Sequence, residues 1–196
     1  MGISLLPAFI RDHYVVREWR HACTILKHDF PSEWQDIIAL LSQFRLCKSW
    51  LLVGGGRKSK VAESIDSFLF QRGWREKKFA TSVKIDDLIL HSPTHKVDCF
   101  KNKVALEIEW NNKDPFFDRD LNNFRLLFDL RAISLGIIIT RSDELQELFN
   151  DLGRGEAYGP STTHTSKLEP RIGGGGGAGC PLLAFGITKL LYNEAC

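Results

Sequence analysis

The fold is decided by the stretch HKVDCFKNKVALEIEW at residues 95–110. It contains two short apolar segments, residues 95–100 and residues 104–110, which are separated by the polar triplet Lys-Asn-Lys at 101–103. Strand-forming residues on both sides of a short polar break are typical of a β-hairpin. We therefore expect two paired strands here.

A helix and a further strand follow the hairpin. From about residue 114 to 131 the spacing predicts a helix, and the uninterrupted apolar run at 135–140 predicts a strand buried on both faces. The order strand, strand, helix, strand is that of an α/β core. The helix places Phe117, Leu121, Phe124 and Phe128 at helical intervals, with Asp118, Arg119, Asp120 and Arg125 on its other faces.

Further elements frame this core. Helical spacing predicts a helix at 31–44, with Ser32 as its N-cap, and another at about 59–71, which Gly73 stops. Aromatic and β-branched residues among cations predict one strand with a basic outer face at 74–85. The rest is read as a short helix at about 142–152, a polar loop at 153–165, a glycine run at 173–179 and a last strand at 182–187. We expect the polar loop to carry function.

Composition places the chain among ordinary globular proteins. Its 196 residues are 43% hydrophobic and 26% charged, which suits a single domain over residues 1–196 with one sizeable core. No uncharged apolar stretch approaches the roughly 18 residues of a membrane span, and no clear secretory pattern is present. We therefore expect a cytoplasmic protein with no membrane partner. A net charge of +2 neither demands nor excludes nucleic acid.

The cysteines predict neither a disulfide framework nor a zinc site. There are five, widely scattered and never in a Cys-x-x-Cys pair. We expect reduced thiols that mostly serve in packing.

Three carboxylates in the hairpin are candidate catalytic residues. Because side chains alternate across a strand, Glu107 and Glu109 share a face, and the hairpin can bring Asp98 beside Glu107. Three carboxylates at one place repel one another unless a cation lies between them, and Mg²⁺ prefers such oxygen ligands. A bound metal can activate water and stabilise charge on a phosphate, which predicts phosphodiester hydrolysis. Spacing alone also fits an alternating strand whose acidic residues merely face water.

A family resemblance favours the metal site. The segment DCFKNKVALEIEWNN at 98–112 resembles the active-site hairpin of the BglII and BstYI restriction endonucleases, a branch of the PD-(D/E)XK nuclease superfamily. The segments QRGWRE at 71–76, GPSTTH at 159–164 and CPLLAFGI at 180–187 are also similar to this family. The resemblance covers about residues 60 to 190, and the first 55 residues match it only loosely.

The resemblance implies a restriction-endonuclease-like α/β core, a central mixed sheet flanked by helices, and type II cleavage of duplex DNA. It implies that Asp98 and Glu107 are catalytic Mg²⁺ ligands. Glu109 departs from the pattern, since the superfamily often has lysine there and this branch glutamine. Glutamate also occupies this position in the related BamHI enzyme. Its role, orienting a ligand or acting as general base, is left open.

The resemblance also implies where DNA is read. Asn112 occupies a position that the family uses near DNA, and an amide can pair bidentately with adenine; Asn111 to Asp114 also suits an ordinary turn. The polar cluster in the 153–165 loop can reach base edges or phosphates, or it is a solvated loop. The DNA-binding set is therefore Asn112, Lys113, Ser161, Thr162, Thr163 and His164.

Two basic clusters suit phosphate contacts, although solvated faces look the same. They consist of Arg57, Lys58 and Lys60, and of Arg72, Arg75, Lys77 and Lys78. The glycines at 54–56 lack the residue order of a nucleotide phosphate loop.

Two copies of one protein read a palindrome most economically, so we expect a homodimer. The resembling enzymes cut six-base sites with a central GATC, a specificity that variable loops can change. Two alternatives stay open, namely a repair or recombination nuclease of the same superfamily and a catalytically silent DNA-binding module.

Overall fold

A computed structural model describes residues 2–53, 58–92, 94–113 and 115–196. The α-helices in these ranges are α1 Ala8–His13, α2 Ala22–Asp29, α3 Pro31–Gln43, α4 Lys48–Leu52, α5 Lys60–Phe70, α6 Pro115–Asp129, α7 Leu145–Asp151 and α8 Thr165–Gly173. The strands are β1 Tyr14–Trp19, β2 Leu46–Cys47, β3 Arg75–Lys78, β4 Thr81–Ile85, β5 Leu88–Ser92, β6 Lys96–Lys101, β7 Val104–Glu109, β8 Leu135–Arg141, β9 Leu182–Ile187 and β10 Tyr192–Asn193. Short 3-10 helices lie at Gly2–Leu5 and Lys189–Leu191.

A six-stranded mixed sheet forms the centre of the structure. Its strand order is β1-β9-β8-β7-β6-β3. The pairs β7–β8 and β8–β9 are parallel, and the outer pairs are antiparallel. Helices α3 and α5 contribute to the apolar core on one face, and α6 and α8 to the core on the other. The predicted α/β class with a restriction-endonuclease-like mixed sheet is confirmed.

The hairpin at the centre of the sequence argument is present as β6 and β7. Its register pairs Cys99 with Leu106. The turn residues Asn102 and Lys103 both have positive φ, 44° and 68°, as a tight two-residue hairpin turn requires. The amide of Asn102 also donates to Glu33 Oε1 at 2.8 Å, which ties the turn to α3.

Close packing holds α6 against the sheet. Gly136 lies in β8, and a Cβ at this position would fall 2.6 Å from the ring of Phe124 in α6. Only glycine lets the helix approach the strand so closely. This contact fixes the helix beside the β7 strand, whose glutamates face it.

The predicted helices are present, with one error in their capping. Helix α5 has Ser59 as its N-cap, and the serine Oγ accepts from Ala62 N–H at 3.1 Å. Helix α3 instead begins at Pro31 after Phe30, so the prediction of Ser32 as N-cap is wrong. Proline suits the first helical position because its missing N–H needs no partner there.

Several elements differ from the sequence predictions. The single strand expected at 74–85 is divided into β3, which joins the main sheet, and β4, which pairs only with β5. Helix α8 and strand β1 were not predicted. Helix α8 contains Pro170 and runs into the glycine run, two signals that favour a loop.

One cysteine prediction is wrong. Cys47 and Cys196 form a disulfide, which links β2 to the C-terminal residue across 149 positions of sequence. Cys23, Cys99 and Cys180 are buried free thiols, as expected for packing residues. In the part of the chain that the structure describes, no helix is both long and apolar enough to traverse a bilayer.

Candidate active site

Two buried glutamates lie side by side on β7. Glu107 and Glu109 are each only 1% exposed. Both lie on the face of the sheet that α6 covers. Glu109 Oε1 lies 3.3 Å from Arg119 of this helix, and Glu107 is connected to its Asp120 through His95, whereas Ile108 between the glutamates packs in the core on the opposite face. The alternation of the strand therefore places two carboxylates on one buried face.

Asp98 joins them from the neighbouring strand. The pairing of β3 with β6 shifts register between Arg75 and Lys77, so β6 has an extra residue near Asp98. Such bulges redirect side chains and are frequent beside active sites. The backbone N–H of Asp98 donates to Glu107 Oε2 at 3.2 Å, and the N–H of Ile108 donates to Asp98 Oδ2 at 3.0 Å. The structure thus brings Asp98 next to Glu107.

Helix α6 adds a cation and a fourth carboxylate to the site. Asp120 is fully buried, and its Oδ1 accepts from Arg119 Nη2 at 2.9 Å and lies 3.1 Å from His95 Nε2. The same His95 nitrogen lies 3.3 Å from Glu107 Oε1. Arg119 Nη2 in turn lies 3.3 Å from Glu109 Oε1.

Burial and mutual repulsion perturb these groups. Burial raises the pKa of Glu107 to about 8 and that of Glu109 to about 10, and the charge of Asp120 adds to both rises. Burial likewise raises the pKa of Asp98, against the hydrogen bond from Ile108. Burial lowers the pKa of His95, but its hydrogen bonds to Asp120 and Glu107 outweigh this and bring the pKa to about 9.

A loop segment packs against the end of the glutamate strand. The backbone N–H of Thr163 donates to Asn112 O at 2.8 Å, and its hydroxyl donates to Glu109 O at 3.3 Å. Thr162 pairs with Lys113 as an isolated antiparallel bridge. The predicted DNA-binding residues of the hairpin end and of the distant loop are therefore adjacent in space.

A model of the restriction endonuclease BglII/BglIII family matches residues 14–187. The chain belongs to the BglII family of restriction endonucleases. The match begins with the first residue of β1 and ends with the last residue of β9, so it spans the whole six-stranded sheet. A search of curated proteins found no match.

Membership of the BglII family makes the chain a site-specific deoxyribonuclease, a hydrolase that acts on double-stranded DNA. This confirms the resemblance found in the hairpin and in the C-terminal segments. Restriction endonucleases of this kind generally use a divalent metal, and a candidate group of metal-binding residues is present.

The carboxylates of this BglII-family site fit a divalent cation. His95, Glu107 and Asp120 offer ligand atoms that all lie within 4.8 Å of one another. Asp120 Oδ2 is buried without a hydrogen-bond partner. Asp98, Glu107, Glu109 and Asp120 carry four negative charges when ionised, and His95 and Arg119 supply two positive ones. The two uncompensated negative charges match one divalent ion, and its oxygen-rich surroundings suit Mg²⁺.

Neighbouring cations leave that balance unchanged. Lys58 Nζ pairs with Asp66 at 2.8 Å. Beside the larger effect of burial, Lys58 lowers the pKa of Asp98 and Asp66 raises it, and the pair adds no net charge to the site. Arg57 of the first basic cluster and the glycines at 54–56 lie outside the described residues.

Most side chains of the second basic cluster lie on aromatic rings, and Arg72 Nε also lies 3.8 Å from Asp36 Oδ1. Arg72 stacks over Phe68, Arg75 over Phe70, and Lys77 over Phe79 and Phe100. A cation that lies on the face of a ring is not neutralised by an opposite charge, so its charge remains available to a phosphate.

The loop residues differ in how much they can offer DNA. Ser161 is exposed, and Thr162 and His164 are half-buried, but Thr163 is fully buried. Thr163 therefore anchors the loop in this conformation. Beneath the loop, buried Arg141 donates to Tyr158 O at 3.1 Å and to Thr162 Oγ1 at 3.0 Å. Burial lowers the pKa of Arg141 to about 10.

Asn112 is already engaged in the site. Its side-chain amide donates to Glu109 Oε2 at 2.8 Å. The side chain of Asn112 therefore contacts Glu109 while its backbone carbonyl contacts Thr163, so Asn112 connects the predicted DNA-binding loop to the carboxylates.

The helical spacing predicted Arg119 and Asp120 on faces of the helix other than the apolar one, and nothing in the sequence singled out His95. For Asp120 a signal was present, since it lies three residues after Phe117 and four before Phe124, both buried. A carboxylate at helical spacing within an apolar stripe must find buried partners. No comparable pattern marks His95.

Proposed function

We propose that the chain is a Mg²⁺-dependent type II restriction endonuclease, one domain over residues 1–196, that cuts duplex DNA at a short palindromic site. The observation that carries this is the group of Asp98 and the buried Glu107 and Glu109, which together with Asp120 leaves two negative charges uncompensated when all four are ionised, in a family of DNA hydrolases. A divalent cation beside a phosphate is the partner that such a group lacks.

Asp98 and Glu107 are the proposed Mg²⁺ ligands. When bound, the ion lowers the pKa of a water ligand and stabilises the charge that builds on the phosphate. The two residues are oriented without the ion, because each accepts a backbone N–H of the opposite strand. The bulge in β6 and the pairing with β8 keep both strands in place.

Glu109 is proposed to orient the metal ligands and the attacking water. Burial raises the pKa of Glu109 to about 10, so without a metal its carboxyl group is protonated at neutral pH and is not suited to act as a general base. Asn112 and Arg119 hold its two oxygens, which fixes the direction in which the carboxyl group faces.

DNA is proposed to be bound by Asn112, Lys113, Ser161, Thr162, Thr163 and His164. The contacts of Thr162 and Thr163 with the end of β7 give these residues a common surface next to the carboxylates. Thr163, being buried, acts by holding the loop. Exposed Ser161 and the half-buried neighbours are the groups that reach base edges.

A palindromic site calls for two identical half-site readers, so we propose a homodimer that acts on DNA in the cytoplasm, one active site for each strand. A GATC-containing site is the first specificity to examine. The alternative of a repair or recombination nuclease predicts cleavage of branched or damaged DNA instead.

The experiment is to digest sequenced duplex DNA with purified protein and Mg²⁺ and to map every end. Discrete fragments whose ends share one palindrome support the proposal. A smear, cleavage at junctions alone, or DNA left intact contradicts it. The Glu107→Gln variant and a reaction with EDTA control for a contaminating nuclease.

A further inference from the structure

Asp120 is a buried carboxylate that connects two cations. Its Oδ1 accepts from Arg119 Nε at 3.0 Å and Nη2 at 2.9 Å, and it lies 3.1 Å from His95 Nε2. Both cations extend to the glutamates of β7, each over 3.3 Å. The resulting chain of alternating charge runs Glu107, His95, Asp120, Arg119, Glu109.

The distances in this chain are unequal. Both cations lie closer to Asp120, at 2.9 to 3.1 Å, than to the glutamates, at 3.3 Å. The shorter contacts fall within the usual hydrogen-bond range of about 2.7–3.2 Å, and the longer ones lie just outside it. Asp120 therefore takes the larger share of both cations.

The free-energy cost of burying the Asp120 carboxylate indicates that its negative charge has a role in the site. The residue is fully buried, its Oδ2 accepts no hydrogen bond from the nitrogen donors around it, and, after burial, its carboxylate contributes to the raised pKa of the neighbouring Glu109. A buried carboxylate oxygen without a donor is costly, and a neutral side chain of the same shape would avoid much of that cost.

We propose that Asp120 is a positioning residue that holds Arg119 and His95 away from Glu109 and Glu107, so that Glu107 remains available to a divalent cation and Glu109 beside it is not neutralised by Arg119. The inference rests on the proposed function, because it assumes that Glu107 binds a metal. Without the charge of Asp120, the guanidinium of Arg119 closes on Glu109 as a bidentate pair, and its positive charge then competes with the metal for the negative charge of the site.

The test measures Mn²⁺ binding to the whole protein without DNA, by calorimetric titration. Asp120→Asn removes the charge and keeps the shape, and we expect it to weaken Mn²⁺ binding at least about tenfold. The matched control is Asp118→Asn, which removes one charge from the same helix at a residue 61% exposed and paired with Arg171. We expect the control to stay within about twofold of the unmodified protein. Equal weakening by both substitutions overturns the proposal.

A double-mutant cycle separates positioning from direct metal ligation. We expect Arg119→Gln alone to change Mn²⁺ binding less than about threefold, because Asp120 already holds the guanidinium. In the Asp120→Asn background the same substitution should recover most of the lost affinity. If recovery is absent, Asp120 is itself a ligand, and the positioning role is wrong.

Folding of each variant is checked by circular dichroism and thermal unfolding. Arg119 is 41% exposed, so its single substitution tests the proposal even if Asp120→Asn does not fold. A tenfold tightening of Mn²⁺ binding by Arg119→Gln alone contradicts the proposal, since Arg119 would then already compete for Glu109. Site-specific cleavage by the unmodified protein is measured separately, so the proposed function can hold while the role of Asp120 fails.

Discussion

Glu107 should destabilise the protein whenever no metal is bound. Burial raises the pKa of this carboxyl from 4.5 to about 8, so the folded state binds a proton more tightly than the unfolded state. Between those two pH values the stability therefore falls as pH rises. Glu107→Gln replaces the carboxylate by a neutral group of the same shape and removes this dependence.

The magnitude follows from the same two values. Neutral pH lies about 2.5 units above the ordinary pKa, and each unit corresponds to about 1.4 kcal/mol. At pH 7 without metal, Glu107→Gln should therefore raise the free energy of unfolding by roughly 3 kcal/mol. The gain should shrink to about 1 kcal/mol at pH 5, which lies only half a unit above the ordinary pKa, because the unfolded carboxyl then gains little free energy by ionising.

The assay is urea unfolding in EDTA at several pH values between 5 and 8. Glu147→Gln serves as control, because Glu147 is an exposed glutamate in α7. Adding Mg²⁺ should stabilise the unmodified protein and leave the Glu107→Gln variant nearly unchanged. A variant that is equally stable or less stable than the unmodified protein at pH 7 in EDTA would refute the electrostatic reasoning.

Three further substitutions test other parts of the site and of the fold. Glu109→Gln restores the residue that this branch often has, so cleavage should stay within about tenfold of the unmodified rate; complete loss in a single-turnover assay would contradict this. Asn112→Ala removes the amide that holds Glu109 and that is proposed to contact a base, so cleavage should slow and discrimination against sites with one changed base should fall, as competitive digestion would show. Gly136→Ala places a Cβ against Phe124 and should lower the free energy of unfolding by about 1–3 kcal/mol. An unchanged midpoint of urea unfolding would mean that α6 can shift away from the strand at little cost.

The hairpin and its carboxylates were predictable because their signal is local. A short polar break between apolar segments specifies β6 and β7, and alternation along one strand fixes which face Glu107 and Glu109 share. Strand β8 was equally clear, because a run of apolar residues buried on both faces leaves little choice.

The partners of those carboxylates depend on tertiary packing. His95 meets Asp120 only because α6 crosses the sheet where Gly136 permits it, and sequence spacing does not reveal that approach. The disulfide between Cys47 and Cys196 joins residues 149 positions apart, so no local pattern predicts it. Sequence gives the groups on one strand, whereas the fold decides which charges face them.

The most direct measurement is an anomalous difference map from crystals of the protein grown with Mn²⁺ and a duplex that contains its site. The account predicts a peak coordinated by oxygens of Asp98 and Glu107, at about 2.1 Å, next to a backbone phosphate. A metal bound elsewhere, with Asp98 and Glu107 hydrogen-bonded to each other and no phosphate within reach, would contradict the account.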